Sequence, residues 1–217
     1  LLKQRRRRKI VKTGEYKIID NYFPDWMIQQ VRDYMCMMPV RWDNTSDYTI
    51  KKGKRFMGNM ILIEDQWQLR DVSPHWFIWY LIDAIKHDIC KELNITNTLR
   101  CLHNGQFPLE SMNGKNHRDS DDDKYLSAIY MGYGNSGDTI IVDDDNNDIK
   151  RISFKEGRLV LFNSNTLHRG EAPTEGYRCS WGLVFPTFDP TGIKLTNSML
   201  DPNLKDWAWY NKQLPIN

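Results

Sequence analysis

Apolar residues in the second half of the chain form short runs separated by clusters of Gly, Asn and Asp. The runs lie at residues 97–103, 125–133, 138–142, 149–154, 158–163 and 176–185. Apolar runs of this length between turn-forming residues are typical of β-strands, and strands at this spacing indicate a β-sandwich or barrel. We therefore predict a mainly β core built from two sheets.

The first half of the chain predicts two helices. Residues 15–23 are typical of a short strand, and Asp25 follows where it can cap the first helix. Ser73 and Pro74 form an N-cap and first helical position for a second helix that runs to about residue 92. Apolar residues recur at helical spacing in both segments: Ile28, Val31 and Met35, then Trp76, Phe77, Tyr80, Leu81, Ala84, Ile85 and Ile89. Because the helices precede the strands, we predict an α+β fold with helices packed on one sheet.

The length of 217 residues suits one large domain, and a hydrophobic content of 40% is enough for a core. We assign residues 15–188 to this domain and residues 1–14 to a basic tail. Residues 189–217 are predicted to be a C-terminal extension packed on the same domain. That extension is polar apart from three aromatic residues: Trp207, Trp209 and Tyr210.

The basic charge is concentrated in two places although the net charge is only +2. Arg5–Arg8 is either a solvated tail or a contact for nucleic acid or an acidic partner. The cluster Lys51–Arg55 lies in a polar stretch, residues 39–57, that predicts a long loop ahead of a buried strand at 58–64. That cluster is either solvated or part of a lid, because long loops often carry binding residues.

Cysteine usage predicts a reducing compartment. The four cysteines are scattered without a CxxC pair, which argues against a zinc ribbon and against a disulfide framework: Cys36, Cys90, Cys101 and Cys179. The sequence shows neither a signal peptide nor an apolar run long enough to span a bilayer. We therefore expect a cytoplasmic protein without a membrane partner.

His117, Asp119 and His168 are the candidate metal ligands. His117 and Asp119 are two residues apart, so on an extended segment their side chains point to the same side. His168 lies beside a later predicted strand. Two histidines and one carboxylate hold non-haem Fe(II) and leave positions open for other ligands. Zinc can use a similar set, so the three residues alone do not decide the metal.

Arg178 and Ser180 form a second i, i+2 pair on a later strand-like run. A buried guanidinium can bind both oxygens of a carboxylate, and a neighbouring hydroxyl adds a third donor. A dicarboxylate that chelates the metal through its other end would connect the two sites. His75 and His87 fall on the predicted second helix, and His103 ends a strand without a partner at ligand spacing, so we expect ordinary core or surface roles for all three.

The order H-x-D, H, R-x-S in these residues resembles the Fe(II)/2-oxoglutarate-dependent oxygenases. It is most similar to their prolyl-4-hydroxylase-like branch, which includes small forms encoded by phages. Residues 127–139 and 151–170 resemble strands of that branch, and residues 15–31 resemble the opening of the phage forms. The resemblance covers residues 15–186 and is strongest in residues 114–186.

The resemblance implies a double-stranded β-helix, or jelly roll, with its core at about residues 97–186. It implies that His117, Asp119 and His168 bind Fe(II), and that Arg178 and Ser180 hold the distal carboxylate of 2-oxoglutarate. Tyr130 aligns with a tyrosine that often helps to hold this carboxylate. Two departures are Gly137-Asp138 in place of a glycine pair, and the absence of a tyrosine at 99–104.

The implied reaction is hydroxylation of a C–H bond by O₂, coupled to decarboxylation of 2-oxoglutarate to succinate, with ascorbate as a possible reductant. A prolyl residue in a peptide or protein is the substrate that the resemblance implies. A free amino acid, a nucleic acid or another small molecule stays open as the substrate. Two other classes also stay open: a non-catalytic jelly-roll binding module and a zinc hydrolase or lyase. The oligomeric state is not predicted, and a phage origin would place the protein in the host cytoplasm.

Overall fold

A computed structural model describes residues 14–37, 41–42, 56–63, 66–67, 76–93, 97–108 and 114–186. Residues 1–13 of the predicted basic tail, the Lys51–Arg55 cluster and the C-terminal extension lie outside the described residues. The two predicted helices are present as α1 (Asp25–Met37) and α2 (Trp76–Leu93). The strands are β1 (Tyr16–Ile19), β2 (Arg41–Trp42), β3 (Phe56–Ile63), β4 (Gln66–Trp67), β5 (Arg100–Gln106), β6 (Tyr125–Tyr133), β7 (Thr139–Val142), β8 (Asp148–Ile152), β9 (Arg158–Asn163), β10 (His168–Gly170) and β11 (Arg178–Pro186).

The described strands form two antiparallel sheets. The large sheet has eight strands in the order β1-β9-β6-β11-β5-β3-β2, with β4 paired to β3. The small sheet has the order β10-β7-β8. This arrangement, with two helices, is the double-stranded β-helix fold, which confirms the predicted fold class. No helix among the described residues is long and apolar enough to cross a membrane.

The central strands of the large sheet are buried on both faces. In β11, Cys179, Trp181, Leu183 and Phe185 belong to the main hydrophobic core, which also contains side chains of both helices. The alternate residues Arg178, Ser180, Gly182 and Val184 must point to the inner face, toward the small sheet, because side chains alternate along a strand. The helices thus cover one face of the large sheet and leave the other for the functional residues.

Helix α1 approaches the large sheet most closely at β6. Val31 and Met35 are fully buried, as the helical pattern predicts. A Cβ atom placed on Gly132 would lie 1.8 Å from Met35 Sδ, so a larger residue at this position would displace the Met35 side chain. On α2 the predicted face is correct at Phe77, Leu81, Ile85 and Ile89, but Tyr80 is 60% exposed. Ile78 and Ile82 are buried instead, because the core-facing surface of α2 is rotated away from Tyr80.

His103 is buried in this core rather than placed near the candidate ligands. It lies on β5 opposite Trp181 and Asn59 on the neighbouring strands. Neither of its ring nitrogens has a hydrogen-bond partner among the described residues. Burial lowers its pKa from 6.5 to about 4, so the ring is neutral in the folded protein at neutral pH. His87, on α2, is exposed.

We expect His103 to make the metal-free protein less stable in mild acid. Between its unfolded pKa of 6.5 and its folded pKa of about 4, the unfolded chain binds a proton that the folded chain does not. Its stabilising contribution is therefore complete above pH 6.5 and falls as the pH drops through this window, by roughly 3 kcal/mol in total at about 1.4 kcal/mol per pKa unit. Urea unfolding at several pH values measures this slope.

The matched pair His103→Leu and His87→Leu isolates the effect of burial. The first variant should show a shallower loss of unfolding free energy with acid than the wild type. The second should follow the wild type, because His87 is exposed. Equal slopes in wild type and His103→Leu would contradict this assignment.

Candidate metal centre

The structure brings His117, Asp119 and His168 together at one end of the small sheet. His117 and His168 form an antiparallel β-bridge, with each backbone N–H donating to the other residue's carbonyl at 2.9 Å. Asp119 N donates to Ser164 O at 3.0 Å, which fixes the chain two residues further on. One possible ligand atom from each side chain lies within 4.8 Å of the others. His117 and Asp119, which are close in sequence, and His168, which is distant in sequence, thus form one cluster.

Both histidine rings are oriented by backbone carbonyls. His117 Nδ1 lies 3.0 Å from Lys115 O, and His168 Nδ1 lies 2.9 Å from Thr166 O. Since a carbonyl can only accept, Nδ1 carries the proton and donates in each ring. In the neutral form of each ring the lone pair is then on Nε2, and this is the tautomer in which a histidine coordinates a metal through Nε2.

Asp119 receives a hydrogen bond on each carboxylate oxygen. Arg100, at the start of β5, donates through Nη2 to Oδ1. Ser127, on β6, donates to Oδ2 at 2.6 Å. Burial raises the pKa of Asp119, but Arg100, the two histidines and the Ser127 hydroxyl outweigh it and hold the pKa well below its ordinary value. The carboxylate is therefore ionised and fixed in orientation.

His168 is neutral at physiological pH. Burial and the nearby His117 lower its pKa to about 4, although the Asp119 carboxylate opposes the shift. The ring packs edge-on against Phe162, with 4.7 Å between ring centroids. His117 is exposed whereas His168 is buried, so the cluster is open to solvent on the His117 side.

The donor set fits a divalent transition metal. Two imidazoles and one ionised carboxylate converge from three positions, which is the facial set for Fe(II) and leaves coordination positions open. Zinc would accept the same three ligands. Because both metals accept these ligands, the other residues of the inner surface must indicate which metal the site is suited to.

Arg178 lies at the other end of this surface as a buried cation. Its Nη1 donates to Gly137 O and, at 2.8 Å, to Glu171 O. Burial lowers its pKa to about 10, so it stays charged at neutral pH. Within the described part of the chain no carboxylate lies at ion-pair distance from its guanidinium. A buried charge without a partner is costly, so this group is suited to an anionic ligand. Ser180, its predicted companion, is also buried.

Glycines make the space that the guanidinium occupies. Gly137 has φ +93°, and a Cβ there would lie 2.6 Å from Arg178 Cδ. A Cβ on Gly170 would lie 3.2 Å from Arg178 Nη2. The substitution of Asp138 for the second glycine of the predicted pair is therefore compatible with the site, because Gly137 is the position that contacts Arg178.

Partly exposed residues lie between Arg178 and the metal ligands on the inner face of the large sheet. Leu102, Ile129 and Gly182 lie side by side on β5, β6 and β11, and all three are partly exposed although their strands are central. At the Arg178 end, Gln106 Oε1 and Thr139 Oγ1 are buried and have no hydrogen-bond partner among the described residues. Gln106 is the cross-strand neighbour of Arg178.

The predicted role of Tyr130 is wrong. Its ring lies in the main core on the helix-facing side of the large sheet, 5.4 Å from the ring of Phe23 and 5.5 Å from that of Trp181. Arg178 and Ser180 point to the opposite face. Burial raises the pKa of Tyr130, and its hydroxyl has no partner among the described residues. Its side chain cannot reach a ligand held by Arg178 without crossing the sheet.

We expect Tyr130→Phe to leave the affinity for any carboxylate ligand of Arg178 unchanged. The variant removes a buried hydroxyl without a described partner, so the unfolding free energy should stay equal or rise by roughly 1 kcal/mol. Calorimetric ligand binding and urea unfolding of the same preparation check both parts. A clear loss of ligand affinity without a loss of stability would contradict the placement.

Comparison with solved structures supports the fold at low sequence identity. Neither a protein-family model nor a curated protein sequence matches the chain. A 2-oxoglutarate–Fe(II) oxygenase family oxidoreductase from Burkholderia pseudomallei has a TM-score of 0.62 at 12% identity, over 80% of this chain and 86% of that one. A prolyl-4-hydroxylase from Pseudomonas putida has a TM-score of 0.56 at 13% identity, over 80% and 93%. A Trichoplax adhaerens prolyl hydroxylase, in complex with a hypoxia inducible factor peptide, has a TM-score of 0.56 at 16% identity, over 79% and 83%.

Proposed function

We propose that this protein is a non-haem Fe(II)- and 2-oxoglutarate-dependent dioxygenase that hydroxylates a C–H bond. One observation carries the proposal: a His-Asp-His cluster and a buried cation without a described carboxylate partner face the same inner surface. Solved structures with a similar fold include a prolyl-4-hydroxylase and a 2-oxoglutarate–Fe(II) oxygenase family oxidoreductase. A jelly-roll binding module would need neither group, and a zinc hydrolase would not need the cation.

Each of the three metal ligands would contribute one coordinating group to the iron. His117 and His168 present Nε2 because Nδ1 of each ring donates to a backbone carbonyl. Asp119 presents an ionised carboxylate whose orientation Arg100 and Ser127 fix. When bound, Fe(II) with O₂ supplies the oxidation that couples decarboxylation of 2-oxoglutarate to hydroxylation of the substrate.

In this proposal 2-oxoglutarate would lie between the two sites. Arg178 would take the distal carboxylate of 2-oxoglutarate and Ser180 would add a hydroxyl donor. Thr139 and Gln106, whose buried oxygens have no described partner, lie at the same end and complete the polar lining. The keto-acid end would then face the metal ligands, and the apolar side chains of Leu102 and Ile129 would exclude water from the region between.

The substrate is proposed to be a prolyl residue in a peptide or protein. Two of the three similar structures described above are prolyl hydroxylases, and one of them is in complex with a peptide. His117 is the exposed ligand, so the substrate would approach the metal on that side. A free amino acid, a nucleic acid or another small molecule would use the same chemistry. Nucleic-acid binding would weaken steeply with salt and would depend on Arg5–Arg8.

An anaerobic binding experiment tests the proposal without requiring a substrate. Mn(II), which accepts the same ligands but does not turn over, is titrated first, and 2-oxoglutarate is then titrated into the metal-loaded and metal-free protein. The proposal expects 2-oxoglutarate to bind much more tightly when the metal is present. Equal or absent binding in both samples would reject it. Later turnover assays should include ascorbate as the reductant.

A further inference from the structure

Three charged side chains form a network on the outside of the small sheet, next to Arg178. Arg151, on β8, donates to both carboxylate oxygens of Glu171. Its Nη1 donates to Oε2, and its Nη2 donates to Oε1 at 2.9 Å. Its Nη1 also lies 3.2 Å from Asp138 Oδ2. The other oxygen of Asp138 accepts from Phe154 N at 3.0 Å. Arg151 therefore links the segment before β7 to the segment after β10.

The same two segments supply the carbonyls that hold Arg178. Arg178 Nη1 donates to the carbonyls of Gly137 and Glu171. Gly137 precedes Asp138 in the chain, and Glu171 is itself a partner of Arg151. Glu171 N also donates to Asp138 O at 2.8 Å. The separation of these two carbonyls, and hence the position of the guanidinium, depends on how tightly the segments are held together.

The geometry of the network is suited to fixing this separation. The Glu171 and Asp138 side chains are only 11% and 20% exposed, whereas Arg151 is 53% exposed and covers them from outside. Two parallel bonds between a guanidinium and a carboxylate restrain orientation as well as distance. Arg169 also lies 3.9 Å from Glu171, so Glu171 receives positive charge from two side chains.

The orientation of Arg178 determines which of its nitrogens reach a ligand. With Nη1 occupied by the two carbonyls, Nη2 and Nε remain to bind a carboxylate on the inner surface. If the segments separate, Nη1 loses its acceptors and the guanidinium can rotate within its glycine-lined space. Two-point recognition of the distal carboxylate would then be lost.

We propose that Asp138, Arg151 and Glu171 are positioning residues that set the affinity of Arg178 for the distal carboxylate of the 2-oxo acid. This rests on the proposed function. Arg151→Met should weaken binding of 2-oxoglutarate to the Mn(II)-loaded protein by about tenfold. This is the lower end of the loss that is typical when a residue that orients a binding group is removed. Mn(II) affinity should not change, because the metal ligands do not contact the network.

Two comparisons separate positioning from a general loss of structure. 2-Oxopentanoate has the chain length of 2-oxoglutarate but no distal carboxylate, so its affinity should be the same in wild type and Arg151→Met. Under turnover, KM for 2-oxoglutarate should rise while kcat at saturation is retained. Arg158→Met is the matched control. Arg158 also donates through two nitrogens to one carboxylate, that of Asp20, and Asp20 is not part of the Asp138–Arg151–Glu171 network.

Glu171→Gln provides a second test if Arg151→Met does not fold. It keeps the size of the side chain and the backbone carbonyl to Arg178 but removes the charge, and it should weaken 2-oxoglutarate binding to a similar extent. Wild-type affinity for 2-oxoglutarate in these folded variants would overturn the inference, as would an equal loss for 2-oxopentanoate. Failure of the wild type to bind 2-oxoglutarate at all would instead reject the proposed function and the network's role with it.

Discussion

His168→Ala should abolish metal binding and 2-oxoglutarate turnover together. His168 is buried, and its Nδ1 is committed to Thr166 O, so Nε2 is the atom available to the metal. Two ligands would remain after the substitution, and a site of that kind does not hold Fe(II) in a fixed facial geometry. We expect Mn(II) affinity to fall by at least about a hundredfold, which is the upper end of the range for loss of a residue that only supports a ligand.

The loss must be distinguished from unfolding, because His168 packs against Phe162 and His117. The unfolding free energy of each variant is therefore measured in metal-free buffer. His87→Ala is the matched control, since His87 is exposed on α2. A folded His168→Ala protein that bound Mn(II) as tightly as the wild type would show that these three residues are not the metal site.

Arg178→Met should separate cosubstrate binding from metal binding. Truncating one partner of a buried charge pair costs about 2 to 5 kcal/mol, so 2-oxoglutarate affinity should fall by at least about thirtyfold. Mn(II) affinity should be retained, because Arg178 lies at the opposite end of the inner surface from the metal ligands. Anaerobic titrations of both ligands into one preparation measure the two affinities side by side.

2-Oxopentanoate again provides the control for Arg178→Met. Because this compound lacks the distal carboxylate, its affinity should change little when the guanidinium is removed. The variant should also lose the preference of the wild type for 2-oxoglutarate over 2-oxopentanoate. Retention of that preference would mean that another cation recognises the distal carboxylate.

The sequence was sufficient for the residues whose relation is local. His117 with Asp119, and Arg178 with Ser180, are two residues apart on extended segments, so side-chain alternation alone predicts a shared side. The fold class followed from the spacing of apolar runs and turn residues. His168 could be added as the histidine beside a later predicted strand, and the order of the motifs in the resemblance agrees with it. Its closeness to Asp119 in space, however, depends on the β-bridge between residues 117 and 168.

Arg100 and Ser127 could not be found in this way. Their contact with Asp119 depends on the register between β5, β6 and β11, where Val184 lies opposite both of them. Register is a non-local property, and neither residue stands in a motif with the metal ligands. The Arg151–Glu171 pair could not be predicted for the same reason, since it joins residues that are 20 positions apart in the sequence.

The error at Tyr130 has a different cause. Strand β6 is buried on both faces, because the helices cover one side and the small sheet the other. A strand of this kind lacks the polar–apolar alternation that would show which residues face inward. Ser127, at odd spacing from Tyr130, contacts Asp119 and so identifies the inner face in the structure.

The most direct test of the central claim is succinate formation from 2-oxoglutarate in air with Fe(II) and ascorbate, without added substrate. The wild type should produce succinate slowly, and His168→Ala should produce none above the Fe(II)-only background. Arg178→Met should need far more 2-oxoglutarate to reach the wild-type rate. A wild-type protein that is metal-loaded, folded and unable to form succinate or to bind 2-oxoglutarate would contradict the assignment as a 2-oxoglutarate-dependent oxygenase.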